Sequence, residues 1–346
     1  MITIAHFHVW DQKNKGDHAI VLAVQELLEQ ALGKIKFVDL AARDLRELNE
    51  KILKKVNRAD LVVVGGGGIY YEWFMPFDSE GIKKIEPPLV LYSIGYIRML
   101  GMRRLAKTDL ETIRTLNERA SFSSVRDFHT KQFLIRAGVP KDKIQVIGDP
   151  AIFLSEQKTR KIPFPKNRPK IGLNACYHGW MKFGQFEKPI LESLFLAGQT
   201  LSQKHHAKLY YMKQHPDEEY VIKNLQDRGL DLTVVDLPPR QQKWAYRQLD
   251  LLIGMMMHSA VLSFGAETPQ INIGYDIKNR SFAKYIGMRE LMVRPRDLEP
   301  GSFSQMVENI FQQRDSYQHR FAVRKASIWR KQEKFLEQVK QLVTKS

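Results

Sequence analysis

A histidine and a lysine each follow an apolar segment in the second half of the chain. Leu251–Met255 predicts a buried strand, and His258 comes after it at the start of a predicted helix. A histidine there can move a proton near neutral pH, and the free N–H groups of the helix attract anions. Lys278 follows the predicted strand Gln270–Ile273 in the same way. The pattern predicts a site for an anionic ligand; the alternative is that His258 only caps its helix and the methionines are core.

An arginine ends a predicted strand in the first half of the chain. Ser123-Ser124-Val125 leads into Arg126 and Asp127, and a predicted helix follows through Leu134. The planar guanidinium fork suits a carboxylate or a phosphate. Arg126 therefore predicts an anion contact, and a structural ion pair with Asp127 or between domains is the alternative.

Four glycines follow the apolar run Leu61–Val64. A turn through Gly65–Gly68 could take positive φ angles, let a ligand approach the backbone and bind an anion through successive N–H groups. It is neither a dinucleotide fingerprint nor a P-loop, because it follows the third strand and no Gly-Lys-Ser/Thr comes after it. We predict that Gly66, Gly67 and Gly68 form a loop at the site, with a plain tight turn as the alternative. The aromatic run Tyr70–Phe74 either stacks on sugar rings or packs in an interface.

The first predicted loop offers polar groups and a histidine pair. Asp17 is placed to cap the helix that follows, and Asn14 and Asp17 could also hold substrate hydroxyls. His6 and His8 share one face of the first strand, which would suit a metal, but the sequence suggests no third ligand. We therefore predict no metal site.

Short β-branched runs alternate with stretches of helical period along the whole chain, which predicts parallel strands joined by crossover helices. In Ala19–Leu32 the apolar residues fall on one helical stripe. Lys158–Lys170 is rich in proline and basic residues and is typical of a linker. We predict an α/β protein of two Rossmann-like domains that face a central cleft, with the boundaries 1–157, 158–170 (linker), 171–326 and a C-terminal helix, 327–346, that packs back on the first domain.

Composition narrows the class of protein. The 346 residues carry a net charge of +16, and Cys176 is the one cysteine, so no intrachain disulfide forms and a reducing compartment fits. The start lacks the pattern of a signal peptide, and no apolar run is long enough to span a bilayer, so we predict a cytoplasmic protein. The charge favours anionic partners, but no nucleic-acid-binding motif accompanies it. The basic segment Arg320–Lys345 is interpreted as a solvated helix face, with contact to an anionic membrane as the alternative.

Taken in order, these segments resemble the polysaccharide pyruvyl transferase family across most of the chain. The resemblance rests on Asn14-Lys15-Gly16-Asp17, the strand into Gly65–Gly68, Ser93-Ile94-Gly95, Ser124-Val125-Arg126-Asp127, Gly148-Asp149-Pro150-Ala151, and Ile253–His258 followed by Thr268-Pro269 and Tyr275–Lys278. It implies a fold like that of GT-B glycosyltransferases. It also implies transfer of a pyruvyl group from phosphoenolpyruvate to a sugar of a cell-surface polysaccharide or its lipid-linked precursor, as a cyclic ketal.

The resemblance also assigns roles. His258 would be the acid/base group or a phosphate contact, and Arg126 would hold a donor anion. Independently of the resemblance, Lys278 is a candidate for donor binding because it follows a strand end, and Ser259 and Arg98 are further candidates. No metal or organic cofactor is implied. The family commonly has Arg-x-His where this chain has Met256-Met257-His258, so one expected cation is missing.

Two other functions stay open. One is a nucleotide-sugar glycosyltransferase of the same architecture, in which Glu267 would contact the donor ribose. The other is a non-catalytic glycan- or phosphate-binding relative that lost its donor site, as Met256 in place of arginine would suggest.

Overall fold

The computed structural model describes residues 1–9, 11, 13–98, 104–175 and 184–345. They fall into two compact units. The first comprises Met1–Gln12, Asp17–Phe153 and Ser327–Ser346, and the second comprises Lys13–Gly16 and Leu154–Ala326.

The first unit is built on a parallel sheet of six strands, in the order β2-β1-β3-β4-β5-β6. Both faces of such a sheet are covered by helices, which explains why β3 is buried at every residue. In chain order the elements are β1 (Ile2–His8), α1 (Lys15–Leu32), β2 (Ile35–Ala41), α2 (Glu50–Val56), β3 (Leu61–Tyr70), α3 (Ser79–Lys83), β4 (Leu89–Tyr96), α4 (Lys107–Arg119), β5 (Phe122–Val125), α5 (Phe128–Arg136) and β6 (Ile144–Val146).

The second unit holds another six-stranded parallel sheet, in the order β12-β11-β10-β7-β8-β9. Its elements are β7 (Lys170–Leu173), α6 (Gly184–His205), β8 (Lys208–Met212), α7 (Glu219–Asp227), β9 (Leu232–Val235), α8 (Pro239–Arg247), β10 (Leu251–Gly254), α9 (Met257–Gly265), β11 (Gln270–Ile273), α10 (Ile277–Ile286), β12 (Met292–Val293) and α11 (Pro300–Gln312). The last helix, α12 (Arg314–Lys345), begins in the second unit and ends in the first. The predicted α/β class with two parallel sheets is confirmed.

The strand order fixes where ligands bind in sheets of this kind. Strand order reverses between β1 and β3 in the first sheet and between β7 and β10 in the second. Ligands of doubly wound sheets bind outside the carboxyl ends of the strands at such switch points. The residues that follow β1, β3, β7 and β10 are therefore placed where a ligand would bind.

The end of the long helix α12 packs on the first unit, as predicted. Phe335 is fully buried, and its ring lies 5.4 Å from that of Tyr92 on β4. The Tyr92 hydroxyl donates to Gln332 Oε1 at 2.8 Å. The helix is longer than predicted, since it begins at Arg314 rather than near Ser327. None of the described helices is both long enough and apolar enough to cross a bilayer.

Candidate functional site

Two asparagines hold the turn between β10 and α9, at the switch point of the second sheet. Asn174, which follows β7, accepts a hydrogen bond from the Met256 N–H at 3.0 Å. Asn279 of α10 donates to the Met255 carbonyl at 3.2 Å. These bonds satisfy backbone groups that the strand and the helix leave unpaired, and they fix how α9 leaves the sheet.

His258 lies in the first turn of α9, as the sequence predicted, and is partly exposed. Its ring packs against the backbone of Gly16, where a Cβ atom would lie only 2.0 Å from His258 Nδ1. Gly16 therefore makes room for the imidazole, a role that the sequence pattern had not suggested. Ser259 is the next residue and is fully buried, and its hydroxyl faces that of Tyr246.

Lys278 lies in the first turn of α10, which follows β11, the strand next to β10. Adjacent strands are about 4.8 Å apart, so the two helices that carry His258 and Lys278 start side by side. Lys278 is buried, and its Nζ lies 5.4 Å from the centre of the Tyr275 ring. The second sheet thus brings a histidine and a lysine to one edge.

Glu218 is a buried carboxylate at the same edge that sequence reasoning missed. It accepts from the backbone N–H groups of Gln214 and His215, and Asn174 Nδ2 donates to it at 3.3 Å. Burial raises its pKa to about 8. Nearby, Lys15 Nζ lies 2.7 Å from Asp236 Oδ1, and burial lowers the pKa of Lys15. Glu218 thus supports Asn174, and through it the turn ahead of His258.

Arg126 directly follows β5 in the first unit, and only 3% of its side chain is exposed. Its guanidinium lies against the backbone of Gly95, since a Cβ there would be 2.3 Å from Nε. Asp127 and Asp149 oxygens are 3.7 and 3.6 Å away, which is too far for hydrogen bonds. Within the described part of the chain, Nε and Nη2 make no hydrogen bond. A buried guanidinium with two such N–H groups is suited to bind an anion.

The residues around Arg126 belong to segments that the sequence singled out. Ser93, with φ +51°, donates to the Gly148 carbonyl at 2.5 Å, and Ser124 Oγ accepts from the Ser93 N–H at 2.9 Å. Asp149 is buried, which raises its pKa although Arg126 acts in the opposite sense. The ends of β4, β5 and β6 therefore meet around one guanidinium. Asp127 caps α5 by accepting from the Thr130 N–H at 2.8 Å.

The prediction that the glycines form a loop is wrong, because they lie inside β3 and are buried. Gly66 and Gly67 have φ angles of +75° and +88° in an irregular stretch of the β3–β4 pairing. A Cβ on Gly66 would lie 2.4 Å from Ile20 Cγ2, and one on Gly68 would lie 1.9 Å from Ile97 Cδ1. Packing alone therefore explains these glycines. Contact of Gly66, Gly67 and Gly68 with an acceptor stays a prediction.

The aromatic run after β3 divides into a buried and an exposed part. Tyr70 and Tyr71 are buried, whereas Trp73 is 66% exposed and lines an open groove of about 730 Å³ with Arg43 and Arg46. Neither arginine forms an ion pair with a carboxylate of the described residues. The two arginines follow the carboxyl end of β2, and Trp73 follows that of β3. The groove therefore opens at the same edge of the sheet as Arg126, which follows β5.

The polar residues of the first loop have different roles from those expected. Asn14 Oδ1, not Asp17, caps α1, since it accepts from the Gly16 N–H at 3.0 Å. Asp17 lies in the first turn, because the helix begins at Lys15, earlier than its apolar stripe indicated. Arg98 is exposed just beyond β4. Arg103, the next arginine along the chain, lies outside the described residues.

One group of side chains could hold a metal ion. His6 and His8 of β1 lie beside Asp39 of β2, with one ligand atom from each residue all within 4.8 Å of one another. The sequence offered two of these ligands, and the pairing of β2 with β1 adds the third.

A comparison with protein families gives a match to the polysaccharide pyruvyl transferase profile over residues 14–277. The chain belongs to the polysaccharide pyruvyl transferase family. The matched range contains Arg126, His258 and the strand ends that surround them. A comparison with curated protein sequences finds no match.

Solved structures show the same fold at low sequence identity. The UDP-GlcNAc 2-epimerase from Neisseria meningitidis, bound to UDP-GlcNAc, has a TM-score of 0.61 at 14% identity over 100% of both chains. HepE from Anabaena, in complex with UDP and glucose, has a TM-score of 0.58 at 11% identity over 99% of this chain and 100% of its own. MnaA from S. aureus, with UDP, has a TM-score of 0.58 at 11% identity over 93% of this chain and 91% of its own. This pyruvyl transferase family member therefore has a GT-B-like fold.

The structure locates the residue by which this chain departs from the family pattern. Met256 stands where the family resemblance implies arginine, and it is buried, with 7% exposed. Met256 is the N-cap residue of α9, two positions before His258. An uncharged side chain therefore lies at the helix start where the family pattern has a cation. Lys278, in the first turn of the next helix α10, is a cation at the same edge of the second sheet.

Proposed function

We propose that this chain transfers a pyruvyl group from phosphoenolpyruvate to two hydroxyls of a sugar, forming a cyclic ketal and releasing phosphate. The observation that carries the proposal is Arg126, a buried guanidinium with two N–H groups that make no hydrogen bond in the described chain, within the range matched to the family. Leaving such groups unsatisfied costs about 1–3 kcal/mol each, so a carboxylate or phosphate that accepts from both stabilises the site.

The donor needs more than one cation, because it carries a carboxylate and a phosphate. In our proposal Arg126 binds one of these anions. The N-terminus of α9, with Ser259, and the ammonium of Lys278 are proposed for donor binding as well. Arg98, exposed and close to Tyr96, is a weaker candidate.

His258 is proposed as the acid/base group. A proton added to the methylene carbon of phosphoenolpyruvate produces a methyl group and leaves positive charge on the adjacent carbon, which one sugar hydroxyl attacks. The proton of that hydroxyl returns to the histidine. The second hydroxyl then displaces phosphate, which leaves with the remaining proton. The imidazole of His258, which packs against the backbone of Gly16, can act as the acid in the first step and as the base in the second.

The acceptor is proposed to bind at the edge of the first sheet. Trp73 offers an exposed ring for a sugar, and Arg43 and Arg46 beside it suit an acceptor with negative charge, such as a lipid-linked glycan. Asn14 and Asp17 stay candidates for holding its hydroxyls.

The position of Glu267 argues against the glycosyltransferase alternative, which needs that carboxylate to contact the donor ribose. Glu267 forms an ion pair with Lys325 at 2.8 Å and lies just before β11, at the opposite edge of the second sheet from His258. The non-catalytic alternative rests on Met256, the uncharged residue that stands in place of the family arginine.

Thermal unfolding with different ligands separates the three functions. We expect phosphoenolpyruvate to raise the melting temperature and UDP-sugars to leave it unchanged, because only a ligand that binds the folded state stabilises it. A shift with UDP-sugars alone would support the glycosyltransferase. Phosphoenolpyruvate binding without phosphate release in the presence of any sugar acceptor would support a binding protein.

Phosphate release then tests the role of His258. His258→Ala should abolish release while preserving the fold. His205→Ala is the matched control, since that histidine pairs with Glu308 at 3.1 Å, away from the strand ends. Equal activity of the two variants would show that His258 is not the acid/base group.

A further inference from the structure

One buried histidine nitrogen lies on β1, at the switch point of the first sheet. His6 is completely buried, and its Nε2 lies 3.1 Å from the Gly65 carbonyl, so Nε2 carries the hydrogen and donates it. Nδ1 then holds a lone pair. It is buried and makes no hydrogen bond with any described residue. A buried polar atom without a partner needs a physical explanation.

Two further ligands lie on the same face of the sheet. His8 is two residues along β1, and its ring centre is 4.7 Å from that of His6. Asp39 is the β2 residue paired with His6, and its Oδ1 lies 3.0 Å from His8 Nε2. Ala5 and Phe7 point to the other face, into the apolar core. Strand alternation and register therefore bring two imidazoles and a carboxylate together.

The hydrogen bond of His6 suits a metal ligand. Metal-binding histidines commonly donate their second N–H to a backbone carbonyl, as His6 Nε2 does to Gly65. This bond orients the ring and leaves the lone pair on the other nitrogen, Nδ1, for a metal ion.

A purely structural role explains only part of the cluster. The His8–Asp39 hydrogen bond, to which Gln25 adds a donor at 2.8 Å, accounts for those two residues. It leaves the lone pair of His6 without a function. Asp39 is 57% exposed, so an ion has a route from solvent to the buried nitrogens.

We propose that His6, His8 and Asp39 bind one divalent transition-metal ion at the carboxyl end of β1. Two imidazoles and a carboxylate are typical ligands of zinc and of non-haem iron, and three protein ligands leave a coordination position for water or substrate. This inference does not rest on the proposed function, since the site lies on β1 and β2 and its test needs no turnover.

Zinc is the probe. The full chain, stripped with EDTA and dialysed, is given Zn²⁺, desalted and analysed for bound metal, and its melting temperature is recorded with and without Zn²⁺. We expect about one zinc per chain and a higher melting temperature. Asp39→Ala, at an exposed position that folding tolerates, should weaken binding at least about tenfold, and His8→Ala should weaken it further.

The matched control is His205→Ala. It removes a histidine that also pairs with a carboxylate, but that pair belongs to no group of three potential metal ligands among the described residues. It should bind zinc like the unmodified chain. The proposal is overturned if the unmodified chain retains no zinc, or if Asp39→Ala retains as much as His205→Ala.

Discussion

At the scale of single residues, the guanidinium of Arg126 differs from that of Arg119 in the hydrogen bonds that it does not make. Arg119, also in the first unit, donates to the backbone carbonyls of Ile85 and Pro87 at 3.1 and 2.9 Å. Arg126 has two carboxylates near it, both beyond hydrogen-bonding distance. Arg119 therefore serves the fold, whereas two nitrogens of Arg126 keep their donors, which we propose bind the ligand.

This difference predicts the effect of Arg126→Lys. Lysine keeps the charge but loses the planar fork, so kcat/KM for phosphoenolpyruvate should fall about a hundredfold with little change in melting temperature. Arg119→Lys is the control and should lower stability without raising KM. Steady-state phosphate release and thermal unfolding measure both. If Arg126→Lys kept full activity, Arg126 would not be a donor contact.

Gly66 carries a second residue-scale prediction, on stability. In Gly66→Ala the new methyl collides with Ile20, and the backbone must keep φ +75°, so the free energy of unfolding should fall by about 2–4 kcal/mol. Gly33→Ala has a similar φ of +84° but nothing within 4 Å. It should cost only about 1–2 kcal/mol. Urea unfolding of both variants checks this, and equal losses would show that packing against α1 is not the constraint.

At the scale of elements, β10, the turn that follows it and α9 together position His258. The turn is held from both sides, by Asn174 after β7 and by Asn279 of α10. Asn174 is held in turn by Glu218. The position of His258 thus depends on residues from three strand–helix connections rather than on its own helix alone.

Glu218 makes this arrangement sensitive to pH. Its pKa is raised from 4.5 to about 8, so between these values the folded chain binds more protons than the unfolded chain. The free energy of unfolding should therefore fall as the pH rises through this window, by up to about 1.4 kcal/mol per pH unit. Glu218→Gln, which keeps an acceptor for the backbone N–H groups, should flatten that slope.

Thermal unfolding from pH 5 to pH 9 measures the effect. Glu118→Gln, at an exposed position of α4, is the control and should keep the slope of the unmodified chain. An unchanged slope in Glu218→Gln would assign the pH dependence to another group.

At the scale of the whole molecule, the net charge of +16 is the dominant feature. α12 exposes Arg330, Lys334 and Lys340 among its cations. Such a surface attracts anionic substrates and anionic membranes over about one Debye length, roughly 10 Å at 0.1 M salt. A lipid-linked acceptor would place the protein at such a membrane.

We predict sedimentation with phosphatidylglycerol vesicles at low salt, little with neutral vesicles, and release in 0.5 M salt. The double variant Lys334→Glu and Lys340→Glu should bind less. Lys54→Glu with Lys55→Glu, two exposed positions of α2, removes the same charge elsewhere. Equal loss in both double variants would mean that net charge, and not the surface of α12, attracts the membrane.

The sequence by itself determined the architecture and the strand-end positions of Arg126, His258 and Lys278. Apolar runs and helical stripes are local signals, and a parallel sheet brings the carboxyl ends of its strands to one edge. The family resemblance, now shown over residues 14–277, also needed only ordered motifs.

The tertiary structure alone decided the contacts between distant segments. The run of glycines predicted a loop. In the structure it is part of a strand, and the glycines leave space for the side chains of Ile20 and Ile97. Asp39 joins His6 and His8 only through the register of two strands, and Glu218 reaches Asn174 from another connection. Hydrophobic periodicity carries no information on such pairings, because it records which face a residue takes and not which distant residue shares that face.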